Sequence, residues 1–230
     1  MKIVICFLGL VRTLEQTFEN IKENLYDNSN SITTIFVTWE TENTDIFKKY
    51  FPDAKIFTVP VVTKESTDFL LWKKNSVMHF WWLKTFGDNN NALFMYYRQI
   101  YLWEKSTKIL DEMNDIDIIV RARTDITTSG KKIKEYYNQI NDNTTFFPNS
   151  PRFAIVSDKG CPDQVFFGSK QSMLYLLKIK DNVNYLYNKY KQPVQPESSL
   201  YCHVVDKELI LKYMDNSITI IREKGFSKEK

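Results

Sequence analysis

Apolar residues recur along the chain in two rhythms, and the switches between them outline the elements. Lys2–Leu8 is apolar after its lysine and reads as a buried strand, and Gly9-Leu10-Val11-Arg12 is the turn that leaves it. Thr13 followed by Gln16 has the capping-box pattern, after which Leu14, Phe18, Ile21 and Leu25 recur at helical spacing. Residues 27–31 form a polar turn, and 33–39 a second strand, β-branched and aromatic. A short helix at 45–51 is stopped by Pro52, and 55–62 gives a third strand whose Pro60 argues for an end or an edge. Strand-helix-strand-helix-strand in this order predicts a parallel sheet.

The next stretch, 67–86, mixes Phe69, Leu70, Leu71, Trp72, Phe80, Trp81, Trp82 and Phe86 with Lys73, Lys74 and Lys84. It reads as a core-packing helix or flap, an aromatic acceptor wall, or an interfacial patch that meets a lipid-linked substrate at a membrane surface. A loop at 87–91 precedes a long helix over 92–113, with Leu93, Tyr97, Ile100, Trp103 or Glu104, Thr107 and Leu110 along one side; Arg98 and Gln99 read as solvated positions. A strand at 118–120 follows, then a polar surface helix within 129–143, short strands at 146–148 and 153–156, and a buried strand ending at Gly168. Helices over 169–177 and 182–191, a proline loop at 193–197, a helix started by Pro196, a last strand at 217–222 and a charged tail complete the chain.

Chemistry concentrates where the strand at 118–120 ends, in Arg121-Ala122-Arg123-Thr124-Asp125. If the extended backbone continues to Asp125, the two arginines and the acid share one face, at the carboxyl end of a strand where open α/β sheets bind ligands. Guanidinium groups suit phosphate oxygens, and a carboxylate suits Mg²⁺ or Mn²⁺. The alternative is a structural ion pair. Gly9, Arg12 and Thr13 sit where the first strand passes into its helix, a place where the backbone can approach phosphate and the helix N-terminus attracts it. Asp163, on a loop entering the core, is the first candidate for a general base, against a turn residue; Glu197 is the second, against a complement to its helix dipole. His203 lies six residues beyond Glu197, on another face of one regular helix.

Composition narrows the partners. The 230 residues suit one domain with a large core. A formal charge of +3 and a pI near 8.5 fall short of a nucleic-acid-binding face and favour a small anionic ligand. Cys6, Cys161 and Cys202 are odd in number and lack metal-ligand spacing, which suggests a reducing, cytoplasmic setting. The apolar run at 3–11 is too short to span a bilayer, and no small-residue cleavage site follows it.

Short segments in three regions of the chain together carry a resemblance. Gly9-Leu10-Val11-Arg12-Thr13 with the later Ile35-Phe36-Val37-Thr38-Trp39-Glu40, then Arg121-Ala122-Arg123-Thr124-Asp125, and finally Asp163-Gln164-Val165-Phe166-Phe167-Gly168 with Pro196-Glu197-Ser198-Ser199-Leu200, resemble in order and spacing the motifs of small glycosyltransferase-like proteins of bacterial and large-virus polysaccharide and lipopolysaccharide biosynthesis. The resemblance implies a single α/β domain of GT-A type, a mostly parallel Rossmann-like sheet flanked by helices. Residues 1–128 would form the nucleotide-sugar-binding half and 129–230 the acceptor-binding half. It further implies a hexosyl- or deoxyhexosyltransferase, metal-assisted, that moves sugar from a nucleotide-diphosphate donor to a hydroxyl of a glycan or lipid-linked glycan. The site residues would be Gly9, Arg12, Thr13, Arg121, Arg123 and Asp125 at the nucleotide, Asp125 at Mn²⁺ or Mg²⁺, and Asp163 with Glu197 for catalysis. The familiar enzymes carry Asp-x-Asp; here Arg123 replaces the first acid, and an arginine can carry diphosphate charge that a metal otherwise carries. Two other classes stay open: a non-catalytic nucleotide-sugar-binding domain, and a metal-dependent phosphoryl or nucleotidyl transferase, for which no GxxxxGK[ST] loop is present.

Overall fold

A computed structural model describes residues 1–76, 90–149, 161–191 and 196–222. The expected strand at 153–156, the aromatic stretch from residue 77 onward and the tail at 225–230 lie outside them. In chain order the elements are β1 (Lys2–Leu8), α1 (Leu14–Leu25), β2 (Ser31–Trp39), α2 (Asp45–Tyr50), β3 (Lys55–Val59), α3 (Thr67–Asn75), α4 (Asn90–Glu112), β4 (Ile118–Ala122) and β5 (Ile126–Gly130). A 3₁₀ helix (Ile133–Gln139) follows, then β6 (Thr144–Pro148), β7 (Val165–Ser169), α5 (Lys170–Leu177), α6 (Ile179–Tyr190), α7 (Pro196–Asp206), β8 (Ile210–Met214) and β9 (Asn216–Ile220).

Seven strands form one sheet in the order β3-β2-β1-β4-β7-β6-β8, while β5 and β9 pair apart from it. Strands β3, β2, β1 and β4 are parallel, β7 runs against both β4 and β6, and β8 is parallel to β6. The protein is therefore of the mixed α/β class with a mostly parallel sheet, as expected. β3 is an edge strand, consistent with Pro60 just beyond it.

Both faces of the central strands are covered, which is why they read as unbroken apolar runs rather than alternating ones. Val4, Cys6, Leu8 and Ile119 pack on one face with α4, through Tyr97, Ile100 and Trp103. Ile3, Ile5, Phe7, Ile118 and Val120 pack on the other with α1 and α2, through Leu14, Ile21, Leu25 and Phe47. The expected apolar side of α4 is buried at Leu93, Tyr97, Ile100, Trp103, Thr107 and Leu110. In α3, Phe69 and Trp72 turn inward onto Phe94 and Tyr97, leaving Leu70 and Leu71 outside. The anticipated membrane contact gains no support from this helix, and among the described residues no helix is long and apolar enough to cross a membrane.

Three local expectations are corrected. Thr13 does not cap α1: its hydroxyl donates across the molecule to the Ile221 carbonyl, 3.1 Å away. The polar run after Asp125 yields β5 and a 3₁₀ helix rather than a surface α-helix, because β5 finds a partner in β9. Strand β8, at the far sheet edge, was not anticipated; its mixed sequence and partial exposure suit an edge.

Gly168 stands opposite Thr145 where β7 pairs with β6. A Cβ there would lie 2.6 Å from the Thr144 carbonyl oxygen and 3.2 Å from the Thr145 methyl, and backbone on that side cannot yield. Gly168→Ala is expected to lose about 1–3 kcal/mol of stability, the usual cost of overpacking a closed core. Urea denaturation checks this, and a wild-type midpoint would contradict the close approach.

Candidate functional site

The strand order reverses beside β1: β2 and β3 extend to one side of it, and β4 lies on the other. In open α/β sheets the crevice above the carboxyl ends at such a reversal is where ligands bind. A cavity of about 390 Å³ lies there, a volume suited to a small organic ligand. The ends of three parallel strands line it, with Leu8, Gly9, Leu10 and Arg12 after β1, Trp39 closing β2, and Arg121, Arg123, Thr124 and Asp125 at the end of β4. α4 contributes Met95, Tyr96, Arg98, Gln99, Leu102 and Trp103, and Pro196 opens α7 at the rim.

A web of hydrogen bonds fixes the two turns below the cavity. The Thr124 hydroxyl donates to the Leu10 carbonyl at 2.8 Å, and the Thr17 hydroxyl donates to the Thr124 carbonyl at 2.6 Å. The amide of Ile221 donates to the Asp125 carbonyl at 2.8 Å, so the segment after β9 pins the second turn. Gly9 has φ +117°, a conformation that favours glycine, and nothing lies within 4 Å of where its Cβ would stand. Its amide is bonded to the Val37 carbonyl, and the Val11 amide to the Glu42 carboxylate. The turn therefore offers the cavity space rather than these two amides. Gly9 and Arg12 line the cavity. Thr13 does not: it is buried, with its hydroxyl committed to Ile221.

Arg121, Arg123 and Asp125 do converge, though by another route than the expected one. β4 ends at Ala122 and the backbone bends at Thr124 and Asp125, so extended alternation does not carry through. Asp125 is buried and held bidentately by Arg123, with Nε to Oδ1 and Nη2 to Oδ2 both 2.7 Å; Arg12 Nη1 adds a 3.0 Å bond to Oδ2. Burial alone would push this carboxyl up, but the Arg123 hydrogen bonds and charge, with Arg12 behind them, hold it below the ordinary carboxylate range. Both oxygens are thus engaged by guanidinium groups. Among the described residues no group of three or more His, Cys, Asp or Glu side chains comes together to hold a metal ion. As the side chains stand, this donor set does not fit the divalent cation expected at Asp125: one neutralised carboxylate faces four arginines.

Arg121 differs from Arg123. It shares its face of β4 with Ile119, under α4, and is 3% exposed. Its guanidinium lies 5.2 Å from the Trp103 ring centre and 5.7 Å from that of Phe166. Among the described residues, Nε and Nη1 have no hydrogen-bond partner. Burial works against the charge and nearby Asp163 supports it; a guanidinium nevertheless stays protonated.

Arg98, read as solvated, instead lines the cavity. Its guanidinium stacks 4.6 Å from the Trp39 ring centre, and its Nε is buried without a partner among the described residues. Gln99, which the helix pattern also places in solvent, donates its amide to Oδ2 of Asp163, and Gln164 donates to Oδ1 at 2.5 Å. Asp163 is buried, with both oxygens engaged, one step behind the cavity wall. Half-buried Glu197, next to cavity-lining Pro196, is close enough to Asp163 for their charges to interact. Burial first, and then the Asp163 charge, push its carboxyl up to about 7. His203 takes no part. It is fully buried and stacked 4.7 Å from the Tyr175 ring, and burial pushes it down to about 3, so it is neutral.

No protein-family model and no curated protein matches the chain. Among solved structures it is similar to the apo form of mouse xyloside xylosyltransferase 1, at 12% identity and a TM-score of 0.49 over 94% of this chain and 86% of that one. It is also similar to the galactosyltransferase LgtC in complex with donor and acceptor sugar analogs, at 9% identity and a TM-score of 0.48 over 93% of this chain and 73% of that one.

Proposed function

We propose that the cavity binds a nucleotide-diphosphate sugar and that the protein, as a GT-A-type glycosyltransferase, moves the sugar to a hydroxyl of a glycan or glycolipid. The observation that carries this reading is the buried, unpaired guanidinium of Arg121 at a cavity that Arg98 also faces without an acidic partner among the described residues. Buried donors left unpaired are costly, and an anion with several oxygens would satisfy them. Leu8, Met95, Tyr96 and Leu102 give a nucleoside an apolar wall beside them.

Sugar transfer needs stabilisation of a departing diphosphate as positive charge develops on the sugar ring. Guanidinium groups on rigid strand and helix positions supply it. For an inverting reaction the acceptor hydroxyl must also lose a proton. Of the two candidate bases, Glu197 suits this better than Asp163, reversing the order suggested by sequence. Asp163 has its oxygens occupied by Gln99 and Gln164, whereas Glu197 adjoins cavity-lining Pro196 and is pushed up to about 7 by burial and then by the Asp163 charge. The first half of the chain would hold the donor, and the second half, through Glu197, would meet the acceptor.

A general base must be ionised, so turnover is expected to rise with pH up to about 7 and then level off. Glu197→Gln should lower the rate by roughly 10²–10⁴-fold and remove that pH dependence. Turnover over a panel of nucleotide sugars and glycan acceptors, followed by released nucleoside diphosphate, checks both points; an unchanged profile in the variant rules out this base. The closed Asp125 ion pair leaves a second reading, a nucleotide-sugar-binding domain without transfer. That reading predicts tight donor binding with neither hydrolysis nor transfer for any acceptor.

A further inference from the structure

We infer that Arg98 and Arg121 form a guanidinium clamp that neutralises the diphosphate directly, so that the cavity binds its nucleotide without a divalent cation. This rests on the nucleotide-sugar reading and adds to it how the donor's charge is met.

The two arginines reach the cavity from different elements, Arg121 from β4 and Arg98 from α4. Aromatic rings preset both: Trp103 and Phe166 flank Arg121, and Trp39 and Phe94 flank Arg98. A guanidinium resting on a ring face keeps its in-plane N–H groups free, which is the geometry needed to grip phosphate oxygens. Neither enters an ion pair among the described residues, whereas Arg12 and Arg123 are committed to Asp125. The division of labour follows. The Asp125 pair engages the carboxylate that lines the cavity among the described residues, leaving two oriented cations for the ligand. A divalent ion placed among these arginines would meet net repulsion until the diphosphate arrived, and would then compete with the arginines for the same oxygens.

The experiment is calorimetric titration of the wild-type protein with UDP, GDP and ADP, in excess EDTA and in excess MnCl₂. The tightest binder is expected to change in affinity by less than about threefold between the two buffers, while Arg98→Gln and Arg121→Met each weaken its binding in EDTA by about tenfold or more. Binding seen only with MnCl₂ overturns the metal-free clamp and leaves donor binding standing, as does wild-type affinity in both variants. Failure of all three nucleotides to bind in either buffer overturns the donor-binding reading itself, and the clamp with it.

Discussion

Replacing Arg121 with methionine is expected to leave the protein as stable as before, or more stable, while removing most of its affinity for a nucleoside diphosphate. The two effects share one cause. Each buried N–H without a partner costs about 1–3 kcal/mol, and the guanidinium also loses its hydration. Against this stand the contacts with Trp103 and Phe166, worth about 2 kcal/mol when desolvated, and a longer-range attraction to Asp163. Methionine keeps much of the length and packs against the same rings without a charge. The melting temperature should hold or rise by a few degrees. A charge-assisted bond to phosphate contributes about 1.5–3 kcal/mol, so affinity should fall by about 10- to 100-fold. A variant that melts well below wild type yet binds nucleotide equally well would show that Arg121 is a structural residue.

Asp125→Asn is expected to do the opposite. The side chain keeps its shape, but Arg123 loses a bidentate partner at a site where Asp125 is 2% exposed. Arg12, whose side chain is 43% exposed, can turn to solvent and contributes less. Breaking such a buried pair costs about 3 kcal/mol, or roughly 10 °C in melting temperature for a chain of this size. The sign of the pH dependence is fixed by the depressed carboxyl. The stabilisation is fully present above about pH 4, the unfolded value, and disappears as pH falls through the lower folded value, so wild type and variant should converge in acid. Thermal melts between neutral pH and the acid limit measure this. A gap that persists unchanged into acid would mean that the ion pair is not its origin.

The first half of the fold was legible because its signals are local. The apolar run of β1, the spacing of Leu14, Ile21 and Leu25 in α1 and the buried side of α4 each reflect one element against one core. The Arg121–Asp125 cluster was legible for the same reason: polar residues ending an apolar strand mark a sheet rim. What escaped depends on partners distant in sequence. Thr13 fits a cap pattern, but the segment after β9 passes close enough to take its hydroxyl. Arg98 and Gln99 look solvated if α4 has one buried stripe. Tyr96, Tyr101 and Leu102 are buried too, so the covered arc is wider, and that extra width was the available signal. Asp163 and Glu197 both read as candidate bases because each is an acid on or beside a loop. Their ranking required the Gln99 amide, which only the folded chain brings to Asp163, and the inward turn of the adjacent Gln164 amide onto the same carboxylate.

The central claim is that the cavity at the ends of β1, β2 and β4 receives a diphosphate between Arg98 and Arg121. A crystal structure of the protein soaked with the tightest-binding nucleoside diphosphate tests it most directly. The account predicts phosphate oxygens at about 3 Å from both guanidinium groups, with the Asp125 ion pair to Arg123 intact. A nucleotide bound elsewhere, or phosphates seated on Asp125 through a metal while Arg121 stays unpaired, would contradict it.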